Sequence, residues 1–257
     1  MFIREKQFDG IPTTPLKLVL NLINQTVQGR VQSGPFTGMQ YGLESIESAH
    51  YPKLLGTYEL ELYRVIEELC NMHFDKVVNV GAGEGYYSVG FAMRNHQVKV
   101  IAFEPNVRGR KLIKELARLN GVENQLTVKG LCDIPALEES LGDEGRCLLL
   151  MDCEGGESIL LDPRVCPRLK NATIIVELHE FHVPGVESTI RSRFDDTHFV
   201  TELWTRPRTV MDFPLKFSAL NRILFKRELL EIMYENRQLR MKFLYLKPKN
   251  YNVPMQS

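Results

Sequence analysis

The chain has 257 residues, of which 44% are hydrophobic and 25% are charged, and its 32 basic and 32 acidic residues give a formal net charge of zero. A neutral balance of this kind argues against a protein that binds nucleic acid or an anionic membrane surface. The N-terminus has no apolar core long enough for a signal peptide, and no run approaches the roughly 18 apolar residues of a membrane-spanning helix. The five cysteines are an odd number and never form C-x-x-C, which predicts a cytoplasmic protein with reduced thiols.

Residues 1–55 are predicted to be an N-terminal extension of helix and loop that shapes an acceptor pocket or an interface. Within it, Leu16–Ile23 is apolar and predicts a short helix, whereas Gly29–Gly42 is rich in Gly, Ser, Thr and Pro and predicts a loop. Residues 56–257 are predicted to form the main domain. That domain opens with a helix over Tyr58–Met72, where apolar residues recur every three or four positions.

From Lys76 onward, strand-like and helix-like segments alternate along the chain. Seven apolar runs predict strands, at residues 77–80, 98–103, 126–129, 148–152, 173–178, 198–204 and 241–246. The alternation predicts an α/β fold: a Rossmann-like three-layer sandwich with a mostly parallel seven-stranded sheet between helices. The order of elements near the C-terminus suits a sheet whose last strand is reversed.

A glycine turn follows the first predicted strand. Gly81, Gly83 and Gly85 are spaced two apart, and Glu104 follows the next strand about 20 residues later. Such a turn lets a nucleoside ligand approach the backbone, and the acid can bind ribose hydroxyls. A dinucleotide fingerprint needs G-x-G-x-x-G, so the G-x-G-x-G spacing here favours S-adenosylmethionine (SAM) over NAD.

Acidic residues gather after the predicted strands. In an open α/β sheet these positions meet at one edge, where ligands bind. Carboxylates are costly to bury without partners, so packing alone does not explain their gathering. The groups concerned are Glu104-Pro105-Asn106, Asp133, Asp152-Cys153-Glu154 and Glu177-Leu178-His179.

Four segments resemble the FkbM-type methyltransferases in order and spacing. They are Asn79-Val80-Gly81-Ala82-Gly83-Glu84-Gly85-Tyr86, Phe103-Glu104-Pro105-Asn106, Asp152-Cys153-Glu154-Gly155-Gly156-Glu157 and Val176-Glu177-Leu178-His179. The resemblance covers roughly residues 75–182. It implies a class I SAM-dependent methyltransferase fold and O-methylation of a hydroxyl on a sugar or small natural product.

For the cofactor, we expect the glycine turn beneath the methionine part of SAM and Glu104 on the ribose hydroxyls. Asp133 is a candidate for the adenine amino group, although an Asp before Pro135 is also a common turn residue. A structural turn and a helix-start acid are the alternatives for the glycines and Glu104. The candidate cofactor-binding residues are Glu59, Gly81, Ala82, Gly83, Gly85, Tyr86, Glu104, Pro105, Asn106, Asp133 and Asp152.

For the chemistry, the candidate catalytic residues are Asp152, Glu154, Glu177 and His179. An acceptor hydroxyl has to lose its proton, so His179 or Asp152 acts as a base, or Mg²⁺ held by the same four residues lowers the pKa of the hydroxyl. A buried histidine that orients Asp152 is the alternative role for His179.

Two further functions stay open at this point. One is an NAD(P)-binding oxidoreductase or nucleotide-sugar enzyme, and the other is a non-catalytic methyltransferase-like partner protein. The expected partners are a small-molecule or carbohydrate acceptor and a second copy of the chain in a homo-oligomer, with no nucleic acid and no membrane.

Overall fold

The computed structural model describes residues 15–41, 50–142, 145–237 and 239–250. Predictions for residues 1–14, 42–49 and 251–257 lie outside this part of the chain. The helices are α1 (Pro15–Val27), α2 (His50–Leu55), α3 (Tyr63–Asn71), α4 (Tyr86–Arg94), α5 (Val107–Leu119), α6 (Ile134–Leu141), α7 (Glu157–Leu160), α8 (Val186–Phe194), α9 (Ala219–Leu224) and α10 (Lys226–Ile232). The strands are β1 (Lys76–Val80), β2 (Lys99–Phe103), β3 (Leu126–Lys129), β4 (Cys147–Met151), β5 (Thr173–Leu178), β6 (His198–Trp204) and β7 (Lys242–Pro248).

The strands form one seven-stranded sheet in the order β3-β2-β1-β4-β5-β7-β6. Strands β1 to β5 pair in parallel, and β7 runs antiparallel to β5 and β6. The predicted Rossmann-like α/β fold, with a mostly parallel seven-stranded sheet and a reversed last strand, is therefore confirmed. The strand order reverses between β1 and β4, which is where such sheets bind ligands.

Strand β4 shows why the sheet carries helices on both faces. All five of its residues are buried, because successive side chains point to opposite faces and both faces are covered. Leu148 and Leu150 pack in the same cluster as residues of α3, α4 and α10, whereas Leu149 and Met151 pack with residues of α6 and α8.

The N-terminal helices share the first of these clusters. Helix α1 buries Leu16, Val19, Ile23 and Val27 and contacts α10. In α2, Leu54 and Leu55 lie in the same cluster. This packing brings Lys53 of α2 to the carboxyl edge of the sheet.

Local sequence decides where several helices begin. The side chains of Asn106 and Asp133 accept backbone N–H bonds at the starts of α5 and α6, as helix N-caps do. The predicted helix at Tyr58–Met72 begins later than expected, with a 3₁₀ turn at Leu60–Leu62 before α3. None of the helices in the described ranges is both long and apolar enough to cross a membrane.

Candidate functional site

A cavity of about 650 Å³ opens at the carboxyl ends of β1, β2, β4 and β5. This volume lies within the range of about 300–1,000 Å³ usual for ligand pockets. Twelve of the predicted site residues line the cavity: Glu59, Gly81, Ala82, Gly83, Tyr86, Glu104, Pro105, Asn106, Asp133, Asp152, Glu154 and Glu177. The other two predicted residues do not line the cavity: Gly85 packs against Ile113, and His179 lies behind Asp152.

The glycine turn after β1 is built by close backbone contacts. A Cβ on Gly81 would lie 1.6 Å from the carbonyl oxygen of Asp152, and its φ is +79°. On Gly83, with φ +56°, an added Cβ would meet no atom within 4 Å, so this part of the turn faces open space. A Cβ on Gly85 would instead approach Ile113 of α5 at 3.2 Å. Gly85 therefore allows α4 to pack on α5.

Glu104 is fixed at the end of β2 by two backbone donors. Its Oε2 accepts the N–H of Gly83 at 2.7 Å, and its Oε1 accepts the N–H of Asn106 at 2.8 Å. The residue is only 6% exposed, yet it lines the cavity. Each carboxylate oxygen can accept more than one hydrogen bond, so this carboxylate can also bind a pair of hydroxyls.

Asp133 and Asn106 combine a cavity position with a local structural role. The Oδ1 of Asp133 accepts the N–H of Ala136 at 2.8 Å, and the Oδ1 of Asn106 accepts the N–H of Arg108 at 2.9 Å. Both residues line the cavity as well. The local role of Asp133 is therefore that of a helix N-cap instead of a turn residue, and it leaves Asp133 beside the cavity.

Glu177, near the end of β5, meets an arginine that no sequence pattern had indicated. Arg237 donates to Glu59 at 2.6 Å and also pairs with Glu177. Burial raises the pKa of Glu177 well above its ordinary value, and the nearby Asp152 adds to the rise. Glu177 therefore belongs to a buried ion-pair cluster in the cavity wall.

The same cluster extends to the loop after β6. Arg208 pairs with Glu61 and Glu235, and Arg237 lies 3.2 Å from Glu235. Glu59, which has a left-handed backbone with φ 48°, also accepts from the hydroxyl of Tyr87. These contacts join the segment before α3 to the segment before β7 at the carboxyl edge of the sheet.

Asp152 follows β4 at the centre of the site. Its side chain keeps 44% of its surface exposed, and it faces the cavity. Because this exposed surface opens into a cavity enclosed by protein, partial desolvation of the carboxylate, with the charge of Glu59, raises the pKa of Asp152 to about 6. An acid that titrates this close to neutrality is suited to proton transfer.

His179 lies behind the cavity wall and is 3% exposed. Its Nδ1 is 2.6 Å from Oε1 of the fully buried Glu157, and its Nε2 is 3.6 Å from an oxygen of both Asp152 and Glu154. Burial opposes protonation of the ring, but the bond to Glu157 and the charge of Asp152 outweigh it, so the pKa of His179 is raised. The structure thus brings Asp152, Glu154 and His179 together, whereas Glu177 pairs with Arg237.

Lys53 is a second cavity residue that the sequence pattern did not reveal. It is 6% exposed and pairs with Glu84, which also accepts from the hydroxyl of Tyr41 at 2.6 Å. The Lys53 ammonium lies 4.7 Å from the ring centroid of Tyr58, within cation–π range. Lys53 and Tyr41 come from segments that carry no recognisable motif, so only the fold shows their place beside the glycine turn.

Comparisons with known proteins give limited matches. No protein-family model matches the chain. A curated Dictyostelium discoideum protein, provisionally named a methyltransferase, is 33% identical over 89 residues. That match spans 35% of this chain and about a third, 32%, of the relative.

Among solved structures, a precorrin-6Y C5,15-methyltransferase from Geobacter metallireducens is 11% identical, with 71% of this chain and 85% of that chain covered and a TM-score of 0.48. A SAM-dependent O-methyltransferase from Thermotoga maritima is 14% identical, with 74% and 65% covered and a TM-score of 0.45. Identities this low do not carry an activity from those proteins to this chain.

Proposed function

We propose that the protein is a SAM-dependent methyltransferase of the FkbM type that methylates a hydroxyl of a sugar or small natural product. The observation that carries this proposal is the cavity at the point where the strand order reverses, with Glu104 held there against the glycine turn. The short match to a relative named as a methyltransferase agrees with it.

The residues of the cavity fit SAM. Gly83 leaves open space where a side chain would stand, and Glu104 presents a fixed carboxylate for the ribose hydroxyls. Asp133 and Pro105 line the same cavity, on the side where we place the adenine. When bound, SAM supplies a methyl group on a sulfonium centre, so the protein has to position the acceptor and manage its proton.

The acidic end of the cavity supports a hydroxyl as the acceptor. Asp152 has a raised pKa and faces the open space, so it can accept a proton from a hydroxyl placed beside it. His179 lies 3.6 Å from Asp152 on its buried side, and its charge, when the ring is protonated, opposes the rise in the pKa of Asp152. Glu177 shapes this end of the cavity through its ion pair with Arg237.

The strand order argues against the NAD(P) alternative. A dinucleotide-binding sheet has the parallel order 3-2-1-4-5-6, whereas here the antiparallel β7 lies between β5 and β6. The glycine spacing also departs from the dinucleotide fingerprint. Titration with NADH, followed by fluorescence, should therefore show no binding.

Calorimetric titration with SAM and S-adenosylhomocysteine tests the proposal. Both ligands should bind at one site. Glu104→Gln should weaken SAM binding at least tenfold, because hydrogen bonds to a charged acceptor contribute about 1.5–3 kcal/mol and a change of about 1.4 kcal/mol corresponds to a tenfold change in affinity. Glu115→Gln, at an exposed position of α5, is the matched control and should bind SAM like the parent protein.

Failure of both ligands to bind the folded protein would refute the proposal. Transfer of a labelled methyl group to a panel of hydroxyl, amine and carbon acceptors then tests the acceptor class, and only hydroxyls should be labelled. If SAM binds but Glu104→Gln leaves the cellular function intact, the non-catalytic partner becomes the better account.

A further inference from the structure

We propose that Asp152, Glu154 and His179 form a binding site for one divalent transition-metal ion, Zn²⁺ or Mn²⁺, at the acidic end of the cavity. The site differs in both its ion and its ligands from the magnesium site that the sequence left open as an alternative to a catalytic base. Glu177 drops out because it pairs with Arg237.

The three side chains are spaced as ligands of one ion. One donor atom from each lies within 4.8 Å of the others, and Nε2 of His179 is 3.6 Å from Asp152 Oδ1 and 3.6 Å from Glu154 Oε2. Bonds of about 2.1 Å at a tetrahedral angle place two ligand atoms about 3.4 Å apart. The observed separations therefore need little change to accept an ion.

His179 gives an independent indication of a ligand. The residue is almost fully buried, and its Nε2 points between two carboxylates at distances longer than a hydrogen bond. Within the described part of the chain, the only hydrogen bond of the imidazole ring is the one between Nδ1 and Glu157. A buried ring nitrogen aimed into a gap between two acids is the arrangement that a cation would complete.

Glu157 is positioned to support His179 through a hydrogen bond to its ring. Metal-binding histidines commonly donate their second ring N–H to a carboxylate, which fixes the tautomer and leaves the other nitrogen free to bind the metal. Glu157 is fully buried and lies 2.6 Å from Nδ1 of His179. It therefore orients Nε2 toward Asp152 and Glu154.

The types of ligand atom, one imidazole nitrogen and two carboxylate oxygens, determine which ion the site should prefer. Mg²⁺ prefers oxygen ligands and octahedral geometry, whereas an imidazole with carboxylates suits Zn²⁺ or Mn²⁺. A second imidazole is near, because Nε2 of His182 lies 3.4 Å from Glu154 Oε2. Since Asp152 and Glu154 line the cavity, the ion would lower the pKa of a hydroxyl bound there. This role rests on the proposed function, but binding of the ion does not.

The test is calorimetric titration of SAM-free, chelator-treated protein with ZnCl₂, MnCl₂ and MgCl₂. One Zn²⁺ or Mn²⁺ should bind per chain, and Mg²⁺ should bind far more weakly. Glu154→Gln and His179→Gln should each weaken binding at least tenfold, and Glu157→Gln by about 10–100-fold through the histidine it supports. The matched controls Glu115→Gln and His96→Gln, at exposed positions, should bind like the parent.

Glu154→Gln keeps this test independent of folding, since 67% of its side chain is exposed; circular dichroism should show an unchanged fold. The proposal is overturned if neither Zn²⁺ nor Mn²⁺ binds, if Mg²⁺ binds equally well, or if Glu154→Gln binds the ion like the parent protein. SAM titration of the metal-free protein is a separate measurement, so failure of the metal site and failure of the methyltransferase proposal are distinguishable.

Discussion

Arg237→Met should destabilise the protein more than any surface substitution of an arginine. The Arg237 side chain is 19% exposed, and its partners Glu59 and Glu177 are 3% and 4% exposed. Removing one partner of a buried ion pair costs about 3–5 kcal/mol, because the remaining charges stay buried. Since whole domains are stable by about 5–15 kcal/mol, the variant should fold but unfold at a markedly lower urea concentration.

The penalty should grow with pH. Burial already raises the pKa of Glu177, and Arg237 opposes that rise, so loss of Arg237 raises the pKa further. A folded state that binds a proton which the unfolded state has released loses stability as pH increases. The free energy of unfolding of Arg237→Met, measured in urea, should therefore fall further below the parent value at pH 8 than at pH 5.

A double-mutant cycle gives the decisive comparison. Adding Glu177→Gln to Arg237→Met removes the uncompensated charge, and it should recover at least about 1 kcal/mol and reduce the pH dependence. Arg191→Met removes a more exposed arginine that pairs with Glu187 and Glu202, and it should cost no more than about 1 kcal/mol. An Arg237→Met penalty equal to that of Arg191→Met, or one independent of pH, would refute the buried-cluster argument.

Three further predictions concern other parts of the site. Gly81→Ala should weaken SAM at least about tenfold and lower the melting temperature, because its Cβ would overlap the carbonyl oxygen of Asp152 and displace the turn. Lys53→Met should lower the free energy of unfolding of the protein by about 3 kcal/mol, because it leaves the buried carboxylate of Glu84 without its ion-pair partner Lys53. Burial lowers the pKa of His50 to about 4, while an unfolded histidine titrates near 6.5. Because the unfolded state then binds a proton that the folded state does not, the free energy of unfolding should fall by about 2 kcal/mol from pH 7 to pH 5 through this residue. The variant His50→Gln should lack this part of the pH dependence.

Each of these predictions has a matched control. Gly121→Ala also replaces a glycine of positive φ, but no atom lies within 4 Å of its added Cβ, so it should cost stability and leave SAM affinity unchanged. Adding Glu84→Gln to Lys53→Met should recover part of the loss. His96→Gln, at an exposed site, should keep the pH dependence of the parent. Equal effects of a variant and its control would contradict the corresponding argument.

The strands and the position of Glu104 beside the glycine turn could be predicted because local patterns determine them. The run Leu148–Met151 is apolar without interruption, as a strand covered on both faces should be, and only Asn79 interrupts the run Val77–Val80. Glu104 could be placed because the residue after a parallel strand always reaches the same sheet edge. Asp133 followed by Pro135 is also typical of a helix start, and α6 begins there, whereas the sequence left a contact with adenine or a turn open for Asp133.

The acidic end of the cavity could not be predicted as well, because its contacts join residues distant in sequence. Arg237 meets Glu59 across 178 positions, and no spacing rule links them. The sequence placed Glu177 among the reactive acids, since it could not show the arginine that pairs with it. The sequence also placed Gly85 with the ligand-binding glycines, whereas its neighbour is Ile113 of α5.

The ion pairs between Arg237 and the acids that precede α3 and end β5 have a consequence for biosynthesis. Lys53 and Glu59 line the cavity, and Glu59 is held by Arg237, which follows it by 178 positions in the sequence. A ribosome-bound chain therefore holds an incomplete pocket until Arg237 has been synthesised. Ligand capture should accordingly follow synthesis, and a chain truncated before Arg237 should be a substrate for proteases instead of a weakened binder.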